Sequence, residues 1–326
     1  MFLLITILVP ALMMALAVNV VYLLVRIFTL PWHIHIAYGP FAWTAVGLLT
    51  LWGALILYGN LIGRFRSETK TWEFVHKEIP EAFDGYRIVH ISDLHLDSWK
   101  GHEKQLAKQM AAVNSLKPDL ICFTGDLVSM SPSEAEPFLE ILRMLKAKDG
   151  IISVLGNHDY LPYSRDTQVR REEQLKDVIR IERELLGWQL LMNENTTIRR
   201  GGDTLAILGC ENQSVGAHSV VKRGNLEKAA EGTEGMMRIL LTHDPSQWRK
   251  EVLGKTDIPL TLCGHTHAMQ MRIFGWTLSK YLYPECDGLY SENGQSLYVN
   301  IGLGGTAPFR IGATPEITLM TLRTIL

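Results

Sequence analysis

The sequence predicts an α/β domain carried behind two membrane-spanning helices, and two observations carry that prediction. From about residue 85 onward, strand-like apolar runs alternate with helical stretches, and each run stops at a polar cluster. The first 63 residues, by contrast, contain one charged side chain, Arg26. The other charges, from a total of 32 Lys and Arg against 34 Asp and Glu, all lie beyond that point. That part is mildly acidic and large enough to bury a core. It lacks the basic footprint of a nucleic-acid binder, and none is expected as a partner.

Met1 to Val25 and Ile36 to Ile62 carry no charge. Each run exceeds the roughly 20 apolar residues needed to cross a bilayer core. Pro31 lies between them and can end the first helix, so spans are expected at about 2–28 and 36–63 within an anchor of residues 1–66. A signal peptide fits poorly, because a positive leading segment is missing and the apolar stretch is too long. The spans hold no buried charge and so do not read as a solute pathway. Arg64, Arg66 and Lys70 follow the second span. The positive-inside bias then puts the C-terminal domain in the cytoplasm, on an inner or plasma membrane. Cys122 and Cys263 sit in apolar runs, and Cys210 and Cys286 show no metal or disulfide spacing, which fits a reduced compartment. Residues 67–84 read as a junction, and residues 85–326 as the domain.

In chain order, Tyr86–Ser92 is strand-like and ends in Asp93-Leu94-His95. Leu106, Met110, Val113 and Leu116 are helically spaced over 103–116. Asp119–Thr124 is a buried strand running into Gly125-Asp126, and a helix is expected over 134–146. The run from Gly150 to Leu155 leads to Gly156-Asn157-His158-Asp159, and 167–186 reads as a long charged helix. Gly201-Gly202 is a hairpin turn between 196–198 and 205–208. A helical bias follows at 225–231. Arg238–Thr242 ends at His243, and Ile258–Cys263 ends at Gly264-His265-Thr266-His267. Residues 297–301 and 316–322 are late strands. Open α/β sheets build their sites at such strand ends.

Five clusters therefore carry the chemistry: Asp93-x-His95, Gly125-Asp126, Gly156-Asn157-His158-Asp159, His243 and Gly264-His265-x-His267. Mixed oxygen and nitrogen donors suit Mn²⁺, Fe or Zn²⁺ rather than Mg²⁺ or Ca²⁺. Glycine directly before a ligand lets the backbone turn sharply and approach closely. Singly, each cluster has a bland reading. A lone His-x-His is more often surface or packing histidine, Asp-x-His can be a helix cap, and Gly-Asp is usually a turn. Their joint occurrence at successive strand ends is what points to a metal centre.

In that order the five clusters resemble the signature of the calcineurin-like metallophosphoesterase superfamily over about residues 85–325. Within it, the N-terminal spans and the tail Gly302-Leu-Gly304-Gly305 … Pro308-Phe-Arg310 … Pro315-Glu316 are similar to membrane-anchored bacterial enzymes related to the UDP-2,3-diacylglucosamine pyrophosphatases. The resemblance implies a two-sheet sandwich flanked by helices, with two divalent cations. It assigns Asp93, His95 and His267 to the first metal, Asn157, His243 and His265 to the second, and Asp126 to both. It sets His158 beside the metals as a catalytic group, to stabilise the phosphoryl oxygens or protonate the leaving group, with Asp159 to orient it. The reaction implied is attack on phosphorus by a hydroxide generated between the cations.

Arg310 is a candidate for substrate phosphate, with a structural salt bridge as the competing reading. Arg165, Arg170 and Arg171 read as the solvated face of a charged helix, and Gly302-x-Gly304-Gly305 as a tight turn rather than a dinucleotide loop. The leading functional expectation is hydrolysis of a phosphodiester or pyrophosphate bond in a phosphorylated small-molecule or lipid substrate, lipid-linked or nucleotide-linked, at the membrane. The alternatives are a broad phosphomonoesterase or cyclic-nucleotide phosphodiesterase, and a non-catalytic metal-binding scaffold.

Overall fold

The computed structural model describes residues 2–215 and 220–325, without the side chains of 2–6. Met1 and Leu326, the outer bounds of the expected anchor and domain, lie outside the described residues. The chain divides into two units, Met1–Arg64 with Ala307–Ile311, and Phe65–Thr306 with Gly312–Leu326.

In the first unit, α1 (Phe2–Thr29) and α2 (Gly39–Leu61) are joined through a 3₁₀ turn at Leu30–Trp32. Pro31 sits in that turn, and His33 reverses the chain in the left-handed region at φ 56°. Few polar groups tie the helices together. Trp52 Nε1 donates to the Ile7 carbonyl at 3.0 Å, and the Tyr38 hydroxyl donates to Asn19 Oδ1 at 2.9 Å. The apolar side chains otherwise point outward: Leu12, Met13, Phe28, Trp43 and Leu51 are each at least 64% exposed. Ile7–Trp32 and Gly39–Phe65 are both long and apolar enough to cross a membrane, and a bilayer would cover this surface. Segment 307–311 packs on the end of α2. There the Arg310 N–H donates to the Gly59 carbonyl and Asn60 Nδ2 donates to the Pro308 carbonyl.

Among the described residues, the second unit holds two six-stranded sheets. The first has the order β1 (Glu68–Val75), β12 (Glu316–Arg323), β2 (Arg87–Ile91), β3 (Leu120–Phe123), β4 (Ile151–Ser153), β5 (Gln189–Leu190). Strands β2 to β5 are parallel, β12 runs antiparallel to β2, and β1 is parallel to β12. The second has the order β10 (Gly288–Glu292), β11 (Gln295–Val299), β9 (Leu260–Cys263), β8 (Met237–Leu241), β7 (Asp203–Gly209), β6 (Glu194–Arg200). Its four central strands are parallel, with an antiparallel hairpin at either edge.

The period-2 alternation of each strand divides the core. Ile88, Cys122, Ile152, Ile207, Ile239, Leu241, Leu262 and Met320 form a layer between the sheets. The intervening Val89, Ile91, Ile121 and Phe123 face Leu106, Met110 and Val113 of α3 (Glu103–Ser115). Leu208, Leu240 and Val299 face Trp248 and Val252 on the other side. Burial on both faces explains why the central strands read as continuous apolar runs. The expected two-sheet sandwich flanked by helices is the fold observed.

Two local readings need correction. The helix expected over 134–146 is a 3₁₀ segment at Pro132–Phe138 with one α-helical turn, α4 (Leu139–Leu142). Pro137 lacks the N–H an α-helix needs there, and its ring crowds the preceding turn. A capping box between Ser131 and Glu134 secures the start instead. Residues 68–75, within the stretch expected as a junction, form edge strand β1, in which only Phe74 is buried. The charged helix is α5 (Gln168–Arg180), continued by a π turn at Ile181–Leu185.

Candidate metal centre

Every expected cluster follows the carboxyl end of a parallel strand: Asp93 and His95 after β2, Asp126 after β3, Asn157 and His158 after β4, His243 after β8 and His265 and His267 after β9. The two sheets bring these ends together. One donor atom each from Asp93, His95, Asp126 and His267 falls in a buried group within 4.8 Å of one another. His95 Nε2 and His267 Nε2 approach to 3.2 Å, and His267 Nε2 lies 3.3 Å from Asp93 Oδ1. Asp126 Oδ2 is 3.4 Å from His95 Nε2 and 3.2 Å from His243 Nε2. His265 Nδ1 lies 2.7 Å from Asn157 Oδ1. A single carboxylate oxygen therefore stands between two groups of donors.

The close approaches depend on backbone conformations that most residues avoid. Asp93, His95, Asp126, His265 and His267 all adopt positive φ, between 44° and 78°. Each such residue costs of order 1–3 kcal/mol, strain typical of functional sites. Glycines make the remaining room. A Cβ on Gly156 would strike the Asp126 carboxylate, and one on Gly264 would strike Ser92 and Asp93. On Gly302, at φ +80°, it would come within 2.6 Å of Asp93 Cβ.

The orphaned atoms test whether a cation fits. His243 Nδ1 donates to the Thr124 carbonyl at 2.6 Å, so in the neutral ring Nε2 carries the lone pair and faces Asp126 Oδ2, itself an acceptor. His243 Nε2 and Asp93 Oδ1 are buried with no hydrogen-bond partner among the described residues. Buried acceptors turned on one another require a positive charge between them. The electrostatics agree. Burial alone would depress His243, yet Asp126 and Asp93 hold its pKa up at about 10, so a proton on Nε2 takes that place when no cation does. Burial works against ionisation of Asp126, and the surrounding His243 and His158 nonetheless hold it well below the usual carboxylate range. The donor set fits divalent cations.

His158 donates from Nδ1 to the Ser129 carbonyl at 2.9 Å, which fixes its tautomer and leaves Nε2 as the lone-pair nitrogen of the neutral ring. Burial lowers its pKa to about 4 despite the nearby Asp126. Asp159, expected to orient His158, does something else. Its carboxylate accepts the backbone N–H groups of Asp126 (2.8 Å), Val128 (3.1 Å) and Gly156 (2.8 Å). It pins two site loops together, while the tautomer is set by a backbone carbonyl. Adjacent residues on a 3₁₀ turn point their side chains apart, so chain adjacency misled here. Burial, and then repulsion from Asp126, raise the Asp159 pKa to about 7.

Arg310, the candidate for substrate phosphate, belongs to the helical unit, where it is buried with its backbone N–H on Gly59. Arg170 pairs with Asp166 on an exposed face of α5, as expected. Two tyrosines escaped the sequence reading. The Tyr283 hydroxyl meets His265 Nε2 at 2.7 Å, and Tyr163 accepts from Asn157 Nδ2 at 3.3 Å while its ring lies 4.6 Å from that of His158. Both sit on loops outside any motif. The one available signal was the aromatic density of Tyr281-Leu282-Tyr283.

The profile of the calcineurin-like phosphoesterase family matches residues 86–269. The uncharacterised metallophosphoesterase YkuE of Bacillus subtilis is 31% identical over 300 residues, 87% of this chain and 95% of that protein. A transmembrane protein with metallophosphoesterase domain from Danio rerio is 30% identical; the match takes in 88% of this chain and 64% of the fish protein's length. The UDP-2,3-diacylglucosamine pyrophosphatase LpxG of Chlamydia trachomatis is 30% identical over 296 residues, covering 74% of this chain and 86% of that one.

Proposed function

This chain belongs to the calcineurin-like phosphoesterase family and is a phosphoesterase, and from that premise we propose that it hydrolyses a phosphodiester or pyrophosphate bond in a lipid-linked or nucleotide-linked substrate at a membrane surface. The observation that carries the proposal is Asp126 Oδ2 lying 3.4 Å from His95 Nε2 on one side and 3.2 Å from His243 Nε2 on the other. In this reading Asp93, His95 and His267 hold one divalent cation, Asn157, His243 and His265 hold a second, and Asp126 serves both. Manganese, iron or zinc suits these donors. When bound, the cations supply Lewis acidity toward a phosphoryl oxygen and lower the pKa of water.

The remaining work falls to the chain. His158 is neutral at neutral pH in the substrate-free site, because burial depresses it. An arriving phosphate adds negative charge beside the ring and favours the imidazolium. With Nδ1–H already committed to Ser129, the added proton resides on Nε2, from which it is donated to a phosphoryl oxygen or to the departing oxygen. Asp159 keeps the loops bearing Asp126 and Asn157 at fixed separation through its backbone hydrogen bonds. Tyr283 orients His265 from the far side of the ring.

For the substrate, the membrane-length helices and the LpxG relatives favour a lipid-linked pyrophosphate. Arg310 is a candidate for its phosphate. The charges at Arg64, Arg66 and Lys70 favour a cytoplasmic domain behind an anchor ending near residue 66; protease protection in oriented vesicles tests that. The functional test uses the full chain in detergent micelles, stripped of metal and supplied with Mn²⁺. It compares UDP-2,3-diacylglucosamine, bis(4-nitrophenyl) phosphate, a phosphomonoester and a cyclic nucleotide, with Asp126→Ala alongside. Metal-restored diester or pyrophosphate cleavage that Asp126→Ala abolishes supports the proposal. Turnover confined to the monoester or the cyclic nucleotide refutes it in favour of those reactions.

A further inference from the structure

Outside the metal centre, the most unusual local feature is the segment from Arg272 to Leu282. Ile273 and Trp276 exchange both backbone hydrogen bonds at 2.9 Å, closing a two-residue hairpin. Its corner residues, Phe274 and Gly275, have φ of 49° and 78°, a turn that normally takes Asn-Gly or Gly-Gly. A bulky aromatic residue at positive φ is a conformational outlier. Phe274 gains nothing inside the protein in return, because its side chain is fully exposed at 105%. Trp276, Leu278, Tyr281 and Leu282 are between 47% and 75% exposed on the same short segment. A strained corner with an unburied aromatic tip breaks a local rule without internal compensation, which points to an external partner.

The segment is nevertheless firmly held. The Thr277 hydroxyl donates to the Ala268 carbonyl at 2.7 Å, and the Ser279 N–H donates to Thr277 Oγ1 at 3.2 Å. Both Thr277 and Ser279 are buried. A patch presented on a fixed support differs from a loop that happens to be apolar.

We propose that this aromatic hairpin is a second bilayer contact, seated in the lipid interfacial layer, which holds the phosphoesterase site against the membrane. Three observations select a lipid surface as the occupant. First, only Arg66 and Ser67 separate the membrane-length helix Gly39–Phe65 from strand β1. Second, Gly312, the residue at which this unit resumes in the chain after segment 307–311, packs so closely on the Arg272 carbonyl that no Cβ would fit. Third, Trp276 and Tyr281 accompany Phe274 and Leu278, with Lys280 among them. Such aromatic and apolar side chains with a neighbouring cation are what the headgroup boundary takes up. Tyr283, one residue past the patch, contacts His265, so the docked segment leads directly to the metal centre.

The test uses the full chain reconstituted in phosphatidylethanolamine–phosphatidylglycerol vesicles. An environment-sensitive fluorophore is placed at Leu278→Cys, and at Glu234→Cys as an exposed reference; the four native cysteines are buried and leave the label selective. The expected result is blue-shifted emission from position 278 and quenching by spin-labelled lipid several-fold stronger than at 234. Adding Phe274→Ser, Trp276→Ser and Tyr281→Ser should erase that difference without moving the melting temperature. Water-like emission from position 278, quenched no more than at 234, overturns the proposal and leaves a protein partner as the occupant. A blue shift that grows with the protein-to-lipid ratio also overturns it, in favour of a second copy of the chain. Neither readout depends on catalysis, so failure here is distinguishable from failure of the proposed activity.

Discussion

Gly302→Ala is the most direct structural perturbation of the centre that alters no donor. A Cβ built there lies 2.6 Å from Asp93 Cβ and 3.3 Å from both Asp93 Cγ and His267 Nδ1, where ordinary contact begins at 3.4 Å. Asp93 or the Gly302 backbone must therefore retreat by about 0.8 Å, and repacking of this kind costs about 1–3 kcal/mol. The backbone cannot yield alone. The Gly302 N–H is bound to Asn300 Oδ1, its carbonyl to Glu316 N–H, and Gly304 N–H to the Asp93 carbonyl. The displacement falls on Asp93, whose Oδ2 accepts from the His265 backbone and whose Oδ1 faces His267. A misplacement approaching 1 Å at a reacting centre costs on the order of 10²-fold in rate, or about 2.7 kcal/mol. The assay is kcat/KM for bis(4-nitrophenyl) phosphate in saturating Mn²⁺, with bound metal counted in parallel. Gly232→Ala is the control, because Gly232 has a similar φ of +73° but open space around it. It should lose stability through backbone strain and keep full activity. Gly302→Ala with normal metal content and kcat/KM within about twofold of the parent would refute the reasoning that Asp93 is held by this contact.

Three further outcomes follow from other contacts. Asp159→Asn keeps one oxygen for the Oδ2 pair but turns an –NH₂ on at least one of the three backbone N–H donors; each group left unsatisfied costs about 1–3 kcal/mol, so denaturant unfolding should show a clear loss, and unchanged stability would contradict the loop-pinning role. Tyr283→Phe removes the hydroxyl from His265 Nε2 and should weaken the second metal ion about tenfold in a calorimetric titration, leaving the first nearly unchanged. Glu182 is fully buried, with its pKa raised well above the ordinary range by desolvation and then by Asp159. The folded state thus holds this proton more tightly than the unfolded chain, so its stability is fullest below the ordinary carboxyl pKa and falls as pH rises toward the folded pKa. Glu182→Gln should therefore gain melting temperature over the parent increasingly as pH rises above the ordinary carboxyl range; a gap that does not change with pH would contradict this.

The features legible in the sequence share one physical cause. Strands β2, β3, β8 and β9 are covered on both faces, so they appear as unbroken apolar runs, and the polar residues that end them stand out. Where burial is partial, that signal fades. Strand β1 buries only Phe74 fully and leaves most of its other side chains exposed, so it reads as a linker, and β10 is an exposed edge strand. The 134–146 segment has helical spacing, but Pro137 vetoes the α-helix. At the centre, the five clusters at strand ends showed which residues gather, whereas their orientation could not be read. Nothing in the string Asn157-His158-Asp159 reveals that the imidazole turns to Ser129 and the carboxylate to three backbone amides. Tyr163 and Tyr283 arrive by tertiary folding from loops without a pattern.

The central claim is that Asp126 stands between two cations, and spectroscopy of the metal pair tests it most directly. The metal-free full chain in detergent micelles is titrated with Mn²⁺ and followed by electron paramagnetic resonance. Two ions per chain sharing one carboxylate, about 3.5–4 Å apart, should give an exchange-coupled spectrum at full loading, and Asp126→Ala should abolish the coupling. Saturation at one ion per chain, or two ions giving only the signal of isolated Mn²⁺, would contradict the account.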